Sequence, residues 1–178
     1  MPVVSQHKIA KLLAIAGHAT TSAEKGRALE EVICYLFEKV PGISITMRNR
    51  LNVFKSEEID LAFWNDQNRA GLYFAPHIVV VECKNWSTPL GSEEVSWLDH
   101  KIERRGLNFG VLVAANGITG DSASRSGAHD IIANALAKQR TVVVMTLEEI
   151  LALTNTDQLV RKFKEKLCEL AVSGSVFS

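Results

Sequence analysis

The sequence lacks an excess of charge of either sign: 20 Lys and Arg stand against 20 Asp and Glu in 178 residues. That balance argues against a polyanion binder driven by a basic tail, and any nucleic-acid contact has to come from a local basic face, because distribution rather than the sum sets the field. Cysteine is scarce, and Cys34, Cys83 and Cys168 stand too far apart for a CxxC or a zinc spacing. An odd set of unpaired thiols excludes a disulfide framework and points to a reducing, cytoplasmic setting. No apolar run approaches the roughly 18 residues of a membrane span. Repeats, low-complexity tracts and linkers are missing too. What is present is a chain 47% hydrophobic and 22% charged, which excludes disordered, collagen-like and coiled-coil classes and is enough for a real core.

The length fits one domain over 1–178, with a core at about 24–153 and helices at 5–16 and 157–171 as additions. Near the N-terminus Lys8 and Lys11 stand before a short apolar run, Leu12 to Ala16. Ile9, Leu12, Leu13 and Ala16 recur at helical spacing, so this is a packing helix rather than a secretion signal. Thr20-Thr21-Ser22 reads as an N-cap cluster before a helix striped by Leu29, Val32, Ile33, Leu36, Phe37 and Val40, which Pro41-Gly42 stops. Strands are expected at Ile43–Arg50, Glu58–Trp64 and Ile78–Lys84, with a turn at Asp66–Gly71 before the third.

Ser92 is placed as the cap of a helix to about Arg105, with Val95, Leu98 and Ile102 on one side. Leu107–Ala114 and Thr141–Met145 are apolar runs of strand length flanking a helix over Ser124–Lys138, a spacing that predicts a parallel crossover covered on both faces. A short helix at Leu147–Leu153 and a last one striped by Leu159, Val160, Phe163, Leu167 and Leu170 complete the order αβββαβαβ plus terminal helices. The fold class is α/β, mixed α+β, with a mixed central sheet. The stripes Ile9–Ala16 and Val160–Leu170 look spare and suggest a homodimer.

The chemistry gathers where the apolar run Val79-Val80-Val81 ends in Glu82-Cys83-Lys84-Asn85-Trp86. Alternation puts Glu82 and Lys84 on one face and Cys83 on the other. Asp60, on the strand before, lies between Ile59 and Leu61, which alternation sends together to the opposite face, and neighbours Glu82 if the two strands pair. Carboxylates crowded at a core edge raise each other's pKa. A hard divalent cation resolves that repulsion: Mg²⁺ takes one or two carboxylates and keeps waters that attack or contact a phosphate. The lysine can then orient or deprotonate the attacking water, or stabilise phosphoryl oxygens.

These residues resemble the PD-(D/E)xK nuclease superfamily: Asp60, then Glu82-Cys83-Lys84 at the end of an apolar strand, with Gly26-Arg27-Ala28-Leu29-Glu30 similar to its Gly-x-x-x-Glu helix. Glu82-Cys83-Lys84-Asn85-Trp86 and Gly110-Val111-Leu112-Val113 with Gly117-Ile118-Thr119 most resemble the restriction-endonuclease-like, Mrr-type catalytic domains, over roughly Glu24 to Leu153. The resemblance implies a three-layer α/β/α core and a metal-dependent endonuclease acting on DNA, RNA not being excluded, in restriction, defence or DNA processing. It implies Mg²⁺ or Mn²⁺ held by Asp60, Glu82, the Cys83 backbone carbonyl and Glu30, with Lys84 as water or phosphate partner. Ile59 stands where the family often has proline. No glutamine follows the Lys84 strand where some members have one; the next helix offers Glu93, Glu94, Asp99, His100 and Lys101.

Arg48, Arg50 and Lys55 before Asp60, and Lys101, Arg104 and Arg105 after it, are candidates for contacts to nucleic-acid backbone or are plain solvated faces. Glu30 has an alternative as a partner of Arg27. His100 and His129 read as surface or capping residues. Trp86 closes the core edge or stacks on a base. The Asn116–Ser122 loop reads as a strand-to-helix turn, with phosphate binding as the alternative. Two further functions stay open: a catalytically silent nucleic-acid-binding or assembly module of the same fold, and a nucleotide-binding α/β protein resting on that loop. With little room for a recognition domain, targeting by a partner protein is a further expectation.

Overall fold

In the computed structural model, which describes residues 2–17, 22–51, 57–121 and 126–174, the order read from periodicity is the order observed. Helices α1 (Gln6–Gly17) and α2 (Ser22–Phe37) lead into strands β1 (Ile43–Leu51), β2 (Glu58–Asn65) and β3 (Ile78–Lys84). Then come α3 (Ser92–Arg104), β4 (Phe109–Ala114), α4 (Ala128–Ala137), β5 (Thr141–Thr146), α5 (Leu147–Leu151) and α6 (Thr156–Ser173). The sheet runs β1-β2-β3-β4-β5. β1, β2 and β3 are antiparallel neighbours, whereas β3, β4 and β5 are parallel, joined by crossovers through α3 and α4. The parallel strands are apolar throughout because both faces are covered.

One layer packs Leu29, Val32, Ile33 and Phe37 of α2, Ile9 of α1 and Phe163 of α6 on Leu61, Phe63, Val79, Val81 and Cys83. Phe37 stacks on Phe63 at 4.8 Å and meets Phe163 edge-on at 5.9 Å. The other layer packs Leu98 and Ile102 of α3 and Ile132 of α4 on Val80, Leu112 and Val144. The terminal stripes are therefore not spare: Ile9, Leu159, Val160, Phe163 and Leu170 lie in the core, and the dimer surface expected from them is corrected. Large apolar side chains left exposed include Met47, Leu51, Trp64 and Ile78 on the antiparallel strands.

Two features set α3 against the sheet. Gly110 lets the helix come close, since a Cβ there would meet Ile102 Cδ1 at 2.5 Å. Arg140, at the entry to β5, grips Asp99 through Nε and Nη2 at 2.6 and 2.9 Å. Gly91 rather than Ser92 is the N-cap of α3, and its N–H donates to Glu94 Oε2 at 2.9 Å. The Thr20-Thr21 cap, Ser122, Ser124 and Lys55 lie outside the described residues. Among the described residues no helix is long and apolar enough to cross a membrane.

Candidate active site

The pairing of β2 with β3 runs from Trp64↔Ile78 to Leu61↔Val81 and goes no further. Beyond it the Cys83 N–H donates to Asp60 Oδ2 at 2.7 Å, so the aspartate side chain takes the place of the next backbone acceptor. Alternation fails here, which corrects the sequence expectation. Leu61 packs in the layer of α2, whereas Ile59 packs in the other with Ala62 and Val80, so the two residues flanking Asp60 face opposite sides. The Ala115 N–H donates to the Lys84 carbonyl, which aims that carbonyl at β4. Successive carbonyls alternate along a strand, so the Cys83 carbonyl points to the Asp60 side.

Burial pushes Asp60 up to about 6, reinforced by the Glu82 charge, against the lowering effect of the Cys83 N–H. Glu82 and Lys84 share a face as expected, with Lys84 Nζ 2.8 Å from Glu82 Oε1. Burial works to lower the Lys84 ammonium, but the charge and hydrogen bond of Glu82, together with the Asp60 charge, hold the pKa above its ordinary value. The second carboxylate oxygen of Glu82 accepts from Lys101 Nζ of α3 at 2.7 Å. Lys101 is only 9% exposed. It is not the solvated, phosphate-facing cation expected from the sequence, because its place beside Leu98 and Ile102 turns it into the fold.

Glu30 is buried on α2 and accepts from Asn49 Nδ2 at 3.1 Å. Burial raises its carboxyl, against the Asn49 bond and the Arg48 charge. Its specific partner is thus Asn49 rather than Arg27. Asn49 stands on β1 with φ of 48°, a left-handed conformation that asparagine tolerates better than most residues. Sequence reasoning missed it. The signal was an asparagine, a poor strand former, between two arginines inside a strand pattern.

A cleft of about 560 Å³ is lined by Gly26, Arg27, Glu30, Asn49, Glu58, Asp60, Cys83, Lys84, Asn85 and Trp86. The fold therefore brings Glu30, Asp60, Cys83 and Lys84 to one opening. Glu82 lines the adjoining cleft with Lys84, Trp86 and Lys101. Among the described residues no group of three or more His, Cys, Asp and Glu side chains is arranged to hold a metal ion. The donor set still suits a hard divalent cation, which needs only one or two carboxylates beside a carbonyl and water. Here Asp60 is held in place by a backbone N–H, next to the Cys83 carbonyl and within the same cleft as Glu30.

Other expected residues lie in different settings. Arg48 pairs with Glu31. Arg104 and Arg105 both pair with Glu57, at 2.6 and 2.8 Å, and their hydrogen bonds, that of Arg105 foremost, hold Glu57 below the usual carboxylate range. Arg50 is exposed on β1. Trp86 is 46% exposed and lines the cleft instead of closing the core. His129, read as a surface or capping residue, is buried in the first turn of α4. The 116–121 segment is tied to the β3 exit by the Leu90↔Ile118 bridge and by Asn116 donating to the Trp86 carbonyl, as a strand-to-helix connection would be.

Comparison with known proteins adds a family. The family model Mrr_cat, described as a restriction endonuclease, matches residues 21–153, which include every element from α2 to α5. No curated protein matches the chain.

Proposed function

Because the chain belongs to the Mrr-type restriction-endonuclease catalytic family, we propose that it is a divalent-metal-dependent endonuclease that hydrolyses phosphodiester bonds in DNA. The observation that carries this reading is the Asp60 carboxylate bonded to the Cys83 N–H beside the Glu82–Lys84 pair. Asp60, Glu82, the Cys83 carbonyl and Glu30 are the groups that would hold Mg²⁺ or Mn²⁺. Such an ion, when bound, polarises a phosphoryl oxygen and lowers the pKa of its water.

The chain's own residues do the rest. Asp60 is anchored at the end of β2 and keeps its orientation through the Cys83 N–H. Lys84, 2.8 Å from Glu82 Oε1 and lining the same cleft as Asp60, would orient or deprotonate the attacking water or donate to a phosphoryl oxygen. Exposed Trp86 walls the cleft. Arg50, exposed on β1, and Arg104, which stays 68% exposed while paired with Glu57, would meet the DNA backbone, and contacts of that kind position a substrate without reading its sequence.

One centre cuts one strand. A monomer would nick, and efficient, concerted linear product would require a second copy or a partner protein. The test is a plasmid, single-stranded DNA and RNA cleavage series with Mg²⁺ or Mn²⁺ and with EDTA. Cutting of DNA that EDTA abolishes is expected; robust cutting in EDTA contradicts the proposal. The engagement of Glu82 by two lysines favours one rival, a silent DNA-binding module, and DNA binding without cutting under every metal would establish it.

A further inference from the structure

Glu82 carries two ammonium partners on one carboxylate: Lys84 Nζ 2.8 Å from Oε1 and Lys101 Nζ 2.7 Å from Oε2. The Lys101 side chain is 11% exposed and that of Glu82 6%. Lysine is seldom buried this deeply, because desolvating its charge is costly unless a partner repays it. Lys84 alone already neutralises Glu82, so the pair does not by itself call for Lys101. The surplus positive charge answers the wider cluster, in which Glu58, Asp60 and Glu82 crowd the end of the β2–β3 pairing.

The position of Lys101 is fixed from both sides. Two residues before it, Asp99 is gripped by Arg140, and the next residue, Ile102, sits against Gly110. The ammonium thus stands where this part of the chain is firmly held, on the carboxylate that the metal-dependent reading assigns to a divalent cation. A divalent cation on Glu82 would repel the Lys101 ammonium, and that repulsion is weakly screened in a site this buried.

Resting on the metal-dependent reading above, we infer that Lys101 is a positioning residue of the reaction centre, an internal ammonium that holds Glu82 Oε2 until a divalent cation displaces it. Cation affinity is then set by competition inside the protein. Lys101 keeps the carboxylate cluster compensated when no ion is bound, and weakens binding when one arrives.

The test is calorimetric titration of the full chain with Mn²⁺ in the absence of DNA, for wild type, Lys101→Met, Lys101→Arg and Asp60→Asn. Loss of the competing charge in Lys101→Met is expected to tighten Mn²⁺ binding by about tenfold or more, while Lys101→Arg, which keeps the charge, stays near wild type. Asp60→Asn should lose the binding. Mn²⁺ binding in Lys101→Met that equals or falls below wild type, with Asp60→Asn still losing it, overturns the inference and leaves the metal reading standing. Indistinguishable binding by wild type and Asp60→Asn overturns both. Should Lys101→Met fail to fold, Lys101→Gln keeps a donor without the charge and carries the same expectation, with unchanged or weaker binding again overturning it.

Discussion

Asp60 Oδ2 accepts the Cys83 N–H at 2.7 Å just past the last paired residues of β2 and β3. A side chain therefore finishes a ladder that the backbone leaves open, and it does so at the mouth of a cleft. A carboxylate in that position is held rigidly and is half-desolvated. It is well placed to bind, and it burdens the fold while nothing is bound.

That burden has a sign and a pH window. The Asp60 pKa is raised to about 6 from an ordinary 3.8, by burial first and then by Glu82, so the folded state binds the proton more tightly than the unfolded one. Stability is then highest below about 4 and falls as pH climbs through about 6 on account of this residue. Asp60→Asn should be more stable than wild type at pH 7.5, by about 2–3 kcal/mol at most, and equal to it near pH 3.5. Added Mn²⁺ should raise the Tm of wild type and do so much less in the variant. Urea unfolding across that pH range checks both, and a variant less stable at pH 7.5 contradicts the assignment.

The Arg140–Asp99 bond should matter more than surface ion pairs do. Both side chains are about one-tenth exposed and meet at 2.6 Å. Asp99→Ala leaves the guanidinium buried with, among the described residues, the Glu103 carboxylate 2.9 Å from Nη1 as its remaining ion-pair partner. A loss of about 3–5 kcal/mol is expected, whereas Glu31→Ala, at the exposed Arg48 pair, should cost no more than about 1 kcal/mol. Chemical denaturation of the two variants decides it; similar losses would show that α3 is not anchored this way.

The thiols should separate cleanly. Burial pushes Cys34 up to about 11 and Cys83 well above its ordinary value, the latter also through Asp60, while Cys168 is exposed on α6. Reaction depends on thiolate and access. N-ethylmaleimide should therefore modify the native protein once, at Cys168, and three times in denaturant. Rapid native labelling of Cys83, read by peptide mass, would mean that the edge of the cleft opens.

Much of this was legible in the sequence, for reasons that differ by residue. The apolar run of β3 ends at a charged pair, so its boundary and the shared face of Glu82 and Lys84 followed from alternation alone. Ile59 did not follow, because the break at Asp60 depends on where pairing with β3 stops, a long-range fact that period two does not contain. The burial of Lys101 was not legible, because a helical stripe reveals which face is buried and not how deeply the sheet reaches beside it. Its position three residues after Leu98 and one before Ile102 was the available hint. What the terminal helices cover was not legible either, since a stripe looks the same whether it covers its own sheet or another subunit.

The central claim is that hydrolysis depends on Asp60, and the most direct measurement is the plasmid cutting rate of folded Asp60→Ala beside wild type in Mg²⁺ or Mn²⁺. Circular dichroism and melting establish that the variant is folded. A rate at least about a hundredfold below wild type is expected, the scale on which loss of one preorganised electrostatic group acts. Asp60→Ala that is folded and cuts at the wild-type rate would contradict the account.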